Sequence, residues 1–379
     1  MPMAPTFRLL NYLLFTNGVL AYYLLPYFYS VFSEEHGFGT HQLSILLSAD
    51  MAGGAMAALA ARYWLSKWSW HGVFIAATIV AFAANAASVY ATTAMEFMAS
   101  RTLAGLASGS LMAFSYACLA NTQNADREFS LALGFQTAIG ALFLVCTPML
   151  LERWGGDSLF LVLALLSLLP WLLLPALPKQ NPAQEASERL ARLPTSNITA
   201  LCSILIYMAT LTAVWVVAEQ IAADVGLSAG LIGVALSASL LFSLLGAVAP
   251  ALVIGKVGRF QLITLSYGAL ALSLVLVDQG ALPILFAAGL CLYNFFFSFT
   301  MPMQMAWFSA FDTTGRTVVL VSLVQGVGAS LGPSMGVYLL GYFGSTPVFL
   351  CCLVLLILSF GLMYVANKAH PDQGTERTG

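Results

Sequence analysis

The chain has 379 residues, of which 60% are hydrophobic and 8% charged, with a formal net charge of −2 and a mean hydropathy of +0.88. Soluble domains carry about 25% charged residues, so a water-soluble fold is excluded and an all-α, polytopic membrane protein is implied. The net charge says little about partners, and what matters is where the charges sit; nucleic acid is not expected as a partner.

A spanning helix needs about 20 apolar residues. Twelve such segments follow one another, over 7–32, 41–63, 71–92, 95–121, 129–151, 157–177, 197–222, 228–254, 260–278, 281–308, 317–342 and 346–367. The first is too long for the apolar core of a secretory signal and has no small-residue cleavage site after it, so it reads as a retained helix. Along it Asn11, Phe15, Gly18, Tyr22 and Tyr29 share one side. Asn17 lies roughly 100° round the helix from Gly18. It faces either a broad cavity or a neighbouring helix to which it hydrogen-bonds, because an amide facing lipid is costly. Pro26 invites a bend near the outer end.

The second segment carries Asp50 and the fourth carries Arg101, two charges inside the membrane. Counted from the outer ends of their segments, they lie roughly 14 Å and 9 Å deep at a rise of about 1.5 Å per residue. Opposite charges in a bilayer tend to pair. Two readings stand side by side. Asp50 protonates and releases Arg101 to a substrate anion or a new conformation, or the two form a permanent brace between helices. Gly105 and Gly109 follow Arg101 at i+4 and i+8 and leave one helix face bare for a neighbouring backbone.

The one long connection, Pro178 to Asn197, is polar and divides the chain into six plus six: an N-terminal bundle over 1–178, a linker over 179–196 and a C-terminal bundle with a short tail over 197–379. In the seventh segment Glu219 and Gln220 end the apolar run. Glu219 is either a second protonatable group facing a cavity or an interfacial residue. Trp215 and Thr212, on its face at i−4 and i−7, favour the cavity. In the tenth, Asn294, Phe297, Met301, Gln304 and Met305 form a stripe of aromatic, thioether and sparse amide groups that suits a poorly hydrated organic solute. Pro302 marks a hinge there.

Lys and Arg set the orientation. With the N-terminus inside, Arg8, Arg62, Lys67, Arg127, Lys179, Arg189, Arg192, Lys256, Arg259, Arg316, Lys368 and Arg377 are all cytoplasmic, against Arg153 alone outside. Both termini and the linker are therefore expected in the cytoplasm. The halves look like copies. The fourth and tenth segments end in cytoplasmic turns holding Asp126 with Arg127 and Asp312 with Arg316, and each turn leads to a helix with a proline, Pro148 or Pro333. A parallel repeat of two six-helix bundles suits a transporter that rocks its halves about a central site.

The chain resembles the major facilitator superfamily over nearly its whole length. Arg101-Thr-Leu-Ala-Gly105-Leu-Ala-Ser-Gly109 is similar to the family's arginine-and-glycine signature in the fourth helix. Gly255-Lys256-Val257-Gly258-Arg259 resembles the tail of its signature between helices eight and nine. Gly328-Ala-Ser-Leu-Gly332-Pro333-Ser-Met-Gly336 looks like a drug-antiporter signature displaced from helix five to helix eleven. The turn from Ala60 to Lys67 departs from the pattern, lacking the usual Asp and Gly, and Gly255 stands where the second copy would have that Asp. The resemblance implies the twelve-helix fold of two pseudo-symmetric six-helix bundles, a helix-four arginine serving proton coupling or anion binding, and a cavity lined by helices one, seven and ten. Gly105, Gly109, Gly332 and Pro333 are expected to serve gating, with Lys256 and Arg259 as gate charges.

The expected function is a secondary active transporter, proton-coupled, moving a small organic solute by alternating access. The alternatives are an uncoupled facilitator or exchanger of organic anions, with Arg101 as the anion site, and a multidrug-type exporter. The expected substrate or coupling residues are Asp50, Arg101, Glu219, Gln220, Asn17, Tyr22, Trp215, Asn294, Phe297 and Met301. No cofactor or metal is expected, because the six cysteines all fall in apolar segments and the four histidines near segment ends or in the tail. Membrane-enzyme chemistry lacks its acid–base pairs, so no catalytic residue is named. The remaining expectations are a monomer in the bacterial inner membrane whose partners are its substrate, protons and the lipid bilayer.

Overall fold

The computed structural model describes residues 4–64, 68–120, 125–177, 195–224, 226–253, 257–278, 282–309 and 316–369. Regular structure among them is helical. All twelve predicted segments coincide with helical stretches. The first is broken into α1 (Pro5–Asn17), α2 (Leu20–Tyr23), α3 (Leu25–Ser30) and a π turn over Val31–Glu35. The break between α2 and α3 has a covalent cause. Pro26 has no N–H to give back to the preceding turn, and it sits at the start of α3, where a missing N–H costs nothing. The predicted stripe along this segment assumed one continuous helix, and the break interrupts it.

The remaining helices of the first half are α4 (Thr40–Trp64), α5 (Trp70–Tyr90), α6 (Ala94–Ala120), α7 (Ala125–Trp154) and α8 (Asp157–Leu168), the last continued by a 3-10 turn over Leu169–Ala176. The second half has α9 (Thr195–Asp224), α10 (Ala229–Val253), α11 (Arg259–Asp278), α12 (Pro283–Ser309), α13 (Arg316–Phe343) and α14 (Ser345–Ala369). Over the described residues, ten stretches are long and apolar enough to cross a membrane. The broken first segment is not among them, nor is α6, which carries Glu96, Arg101 and a run of Ser and Gly.

Local chemistry starts these helices where the sequence changes. Ser69 caps α5, its Oγ accepting from the Gly72 amide at 3.2 Å. At α6, Thr93 and Glu96 form a capping box: the Glu96 amide donates to Thr93 Oγ1 at 3.3 Å, and the Thr93 amide donates to Glu96 Oε2 at 3.0 Å.

The chain divides into two compact units, Met1–Glu188 and Arg189–Gly379. The same pairings recur in each. The second spanning helix of a unit packs on the fourth (α4 on α6, α10 on α12), the third on the fourth (α5 on α6, α11 on α12), and the first on the fifth (α1 on α7, α9 on α13). Left-handed glycines recur too. Gly37 and Gly226 follow the first spanning helix of each unit, and Gly155 and Gly344 follow the fifth, all with φ between 65° and 86°.

Small residues bring particular helices to backbone contact. A Cβ on Gly53 of α4 would run into the Thr102 carbonyl of α6, and one on Gly109 would come 2.8 Å from Gly54 Cα. In the second unit Gly328, Gly332 and Gly336 of α13 each face the backbone of α9, at Leu205, Ala209 and Ala213.

Candidate functional site

The closest approach of α4 and α6 sets the chemistry of the first unit. Gly105 lies so near the Asp50 carbonyl that no side chain could stand there. One turn earlier on α6, Arg101 is thereby held within reach of the Asp50 side chain. Its Nη1 donates to Asp50 Oδ2 at 3.2 Å, with the two side chains 1% and 5% exposed. The guanidinium uses its other edges on α5: Nη2 donates to Asn85 Oδ1 at 2.6 Å and Nε to Ser88 Oγ at 3.2 Å. Ser88 is fixed in turn by a 2.9 Å bond between its Oγ and that of Ser100. A planar guanidinium with donors fanned in three directions suits this fork, and a lysine would not.

Aromatic rings lie against the guanidinium. Arg101 Cζ stands 5.2 Å from the Phe160 ring centre of α8 and 6.0 Å from that of Phe28. Phe32 and Phe97 extend the cluster, meeting edge-on at 5.0 Å, and Phe97 meets His36 edge-on at 4.7 Å. The α8 end is tied down by Glu35, whose Oε2 accepts from the Gly156 amide at 2.8 Å.

The other expected residues lie in several places. Asn17 of α1 donates to the Leu166 carbonyl of α8 at 3.0 Å, so it bonds a neighbouring helix. Tyr22 is half-buried, its ring 6.0 Å from Tyr23. On α9, Trp215 is 1% exposed, while Glu219 and Gln220 are half-buried. Gln220 donates to Asp224 Oδ1 at 2.8 Å. The α12 stripe is shared among three neighbours. Asn294 donates to Ser239 Oγ of α10 at 2.9 Å, Phe297 stacks on Tyr207 of α9 at 6.3 Å, and Met301 Sδ accepts from Gln325 of α13 at 3.3 Å. Gly332, next to Pro333, faces Thr212 and the Ala209 carbonyl of α9. Arg259 is the first residue of α11 and half-buried.

Lys256, the linker residues 179–194 and Asp312 lie outside the described residues, as do the side chains of Arg62, Asp126, Arg127, Met305 and Arg316.

Three sets of residues carry polar chemistry that sequence reasoning passed over. Asn85 and Ser88 complete the Arg101 cradle. Asn85 is the lone amide of an apolar 21-residue helix, and the test applied to Asn17 would have found it. Glu128, at the start of α7, accepts from Arg8 Nε and from the Tyr12 hydroxyl at 2.9 and 2.8 Å, with Arg8 Nη2 at 2.9 Å from its other oxygen. Gln136 donates to the Tyr23 hydroxyl at 3.1 Å. Among the described residues no group of three or more His, Cys, Asp or Glu is placed to hold a metal ion.

Two copies of one helix pattern are thus joined in one chain, and the first copy holds a buried carboxylate–guanidinium pair. A family model described as Major Facilitator Superfamily matches residues 11–203 and again 199–379. The chain belongs to the Major Facilitator Superfamily. It is accordingly an integral membrane transporter rather than an enzyme. No curated protein sequence matches the chain.

Solved structures of this superfamily share the fold. The nucleoside transporter NupG superposes with a TM-score of 0.77 at 14% identity, covering 96% of this chain and 99% of that one. A point mutant of the same transporter gives 0.74 at 13% identity with the same coverage. The human organic anion transporter MFSD10 (TETRAN) gives 0.66 at 16% identity, covering 95% of this chain and 100% of the other. At these identities the likeness is one of fold.

Proposed function

We propose that this Major Facilitator Superfamily member is a proton-coupled transporter that moves a small organic solute by alternating access, with Asp50 and Arg101 as its coupling pair. The carrying observation is the Arg101 cradle. The carboxylate takes one N–H of a guanidinium that carries five. Here Asn85 and Ser88 hold two further edges of the guanidinium, and Phe160 lies across its face. Asp50 can therefore take up a proton while Arg101 keeps neutral partners. The lost charge attraction then biases α4 against α6, which is the kind of two-state element a coupling step needs.

In this reading the two units are the two six-helix bundles, 1–178 and 197–379, joined by a linker over 179–196. The distribution of Lys and Arg supports a cytoplasmic linker and cytoplasmic termini. Glu219 is a second protonatable candidate, and Asn17, Tyr22, Trp215, Gln220, Asn294, Phe297 and Met301 are candidates to touch the solute. Gly105, Gly109, Gly332, Pro333, Lys256 and Arg259 act in gating. The protein works as a monomer in a bacterial inner membrane.

Nucleosides and organic anions are the first solutes to test, because the structural neighbours are named for them. Purified protein in proteoliposomes is given each solute with and without an inward proton gradient. The gradient is expected to drive accumulation in the native protein, and Asp50→Asn is expected to retain exchange while losing accumulation. Accumulation by Asp50→Asn at every pH would sink the proposal. An organic-anion exchanger reading gains ground if anions exchange without moving protons and Arg101→Lys stops that exchange.

A further inference from the structure

We infer that the first unit holds a binding site for an uncharged ring-shaped organic solute bearing an N–H or O–H donor, with the Gln136 amide oxygen as the acceptor. The inference rests on the reading that the chain carries a small organic solute, and it names a class for that solute.

Gln136 lies on α7, in the stretch Leu131–Trp154 that is long and apolar enough to cross the membrane, and is 6% exposed. Its Nε2 donates to the Tyr23 hydroxyl at 3.1 Å, which fixes which way the amide points. Its Oε1 is buried with no hydrogen-bond partner among the described residues. A buried, unpaired amide oxygen is unfavourable, and an apolar residue of similar size would avoid the penalty. A glutamine at this position is accounted for by a donor that arrives and leaves.

The surroundings are built for a flat partner. One turn along α7, Gly140 is pressed against the Tyr23 ring so closely that no Cβ would fit. The glycine lets the phenol lie on α7 and orients the amide beside it. Tyr22 has its ring 6.0 Å from that of Tyr23. Tyr116 of α6, 43% exposed, packs edge-on against Phe15 of α1 at 5.2 Å. Phenol faces beside one amide acceptor recognise rings that carry donors. Charge selects further. Among the described residues the buried ions of this unit are already matched, Asp50 by Arg101 and Glu128 by Arg8. An ionic solute entering here would meet no opposite charge among those residues, and desolvating it would go uncompensated.

Two measurements test this. In a variant lacking the native cysteines, Gln136→Cys is treated in membranes with uncharged methyl methanethiosulfonate or anionic sulfonatoethyl methanethiosulfonate, and exposed Glu34→Cys is the reference. The introduced thiol should react with the uncharged reagent, and the anionic reagent should be slower by about ten-fold or more relative to the reference. A thiol inert to both reagents overturns the site, and equal relative rates overturn the uncharged class.

The second measurement needs no variant. The melting temperature of the unmodified protein is followed in millimolar uracil, N,N′-dimethyluracil and orotate. Uracil should raise it by about 2 °C or more. The dimethyl compound has the same ring without N–H, and orotate adds a carboxylate, so neither should do so. Stabilisation by either of these equal to that by uracil, or by none of the three, overturns the inference. Neither measurement reads solute movement, so these failures are distinguishable from a failure of proton-driven accumulation.

Discussion

Arg101 and Asp50 stand 3.2 Å apart, on two helices whose backbones touch one turn further on, where Gly105 meets the Asp50 carbonyl. The ion pair and the glycine contact are one arrangement. Without the glycine the helices separate, and without the pair their contact keeps a lone charge.

Removing one partner of a buried pair leaves the other uncompensated, which costs about 3–5 kcal/mol. Asp50→Leu should approach that loss in a thermal unfolding series in detergent. Asp50→Asn retains an acceptor for Arg101 Nη1 and should lose less. Asp50→Leu combined with Arg101→Met should recover part of the loss of Asp50→Leu. If the double variant is no more stable than the single, Arg101 has found other compensation.

Neighbouring glycines should respond differently to alanine. At Gly53 a Cβ meets the Thr102 carbonyl, whereas at Gly54 its nearest neighbour, the Gly105 carbonyl, is 3.8 Å away. Gly53→Ala should lower stability by about 1–3 kcal/mol, the usual range for overpacking. Gly54→Ala should stay within about 0.5 kcal/mol of the native chain. Similar melting temperatures for the two would refute the backbone contact.

The second unit offers the same comparison. Gly332→Ala must displace Thr212 and the Ala209 carbonyl on α9, whereas Gly268→Ala and Gly361→Ala meet open space. The first should destabilise. The other two should be neutral or stabilising by up to about 1 kcal/mol, the helix-propensity difference between the residues. Melting curves of the three variants check this.

The clamp of Arg8 on Glu128 should be asymmetric. The Arg8 side chain is 36% exposed and that of Glu128 7%. Among the described residues, Arg8→Ala leaves the buried carboxylate with Tyr12 as its remaining partner, while Glu128→Ala leaves an arginine that can turn to water. Arg8→Ala should therefore be the more destabilising, by about 1–3 kcal/mol. The reverse order in thermal unfolding would show that Glu128 packs rather than pairs.

Much of the fold was legible in the sequence. Hydropathy adds up along the chain, so twelve segments could be placed without knowing what touches what, and the halved pattern pointed to a repeat. Of the candidate site, Asp50 and Arg101 were legible because a charge in an apolar stretch needs a reason. Asn85 and Ser88 were harder to see, since a serine or a lone amide inside a helix is common. The α12 stripe reads as one face in sequence, but Asn294, Phe297 and Met301 reach three different helices.

By itself the sequence determined the membrane, the number of helical segments, the break at Pro26 and which charges are too costly to be incidental. These follow from composition, from the missing N–H of proline and from burial energies that act residue by residue. Only the tertiary structure decided that Arg101 meets Asp50, Asn85 and Ser88 under the face of Phe160, and that the Gln136 oxygen is left unpaired. Those outcomes depend on how far one helix is rotated about its axis against another. The many weak contacts between helices set that rotation jointly, and no single stretch of sequence encodes it.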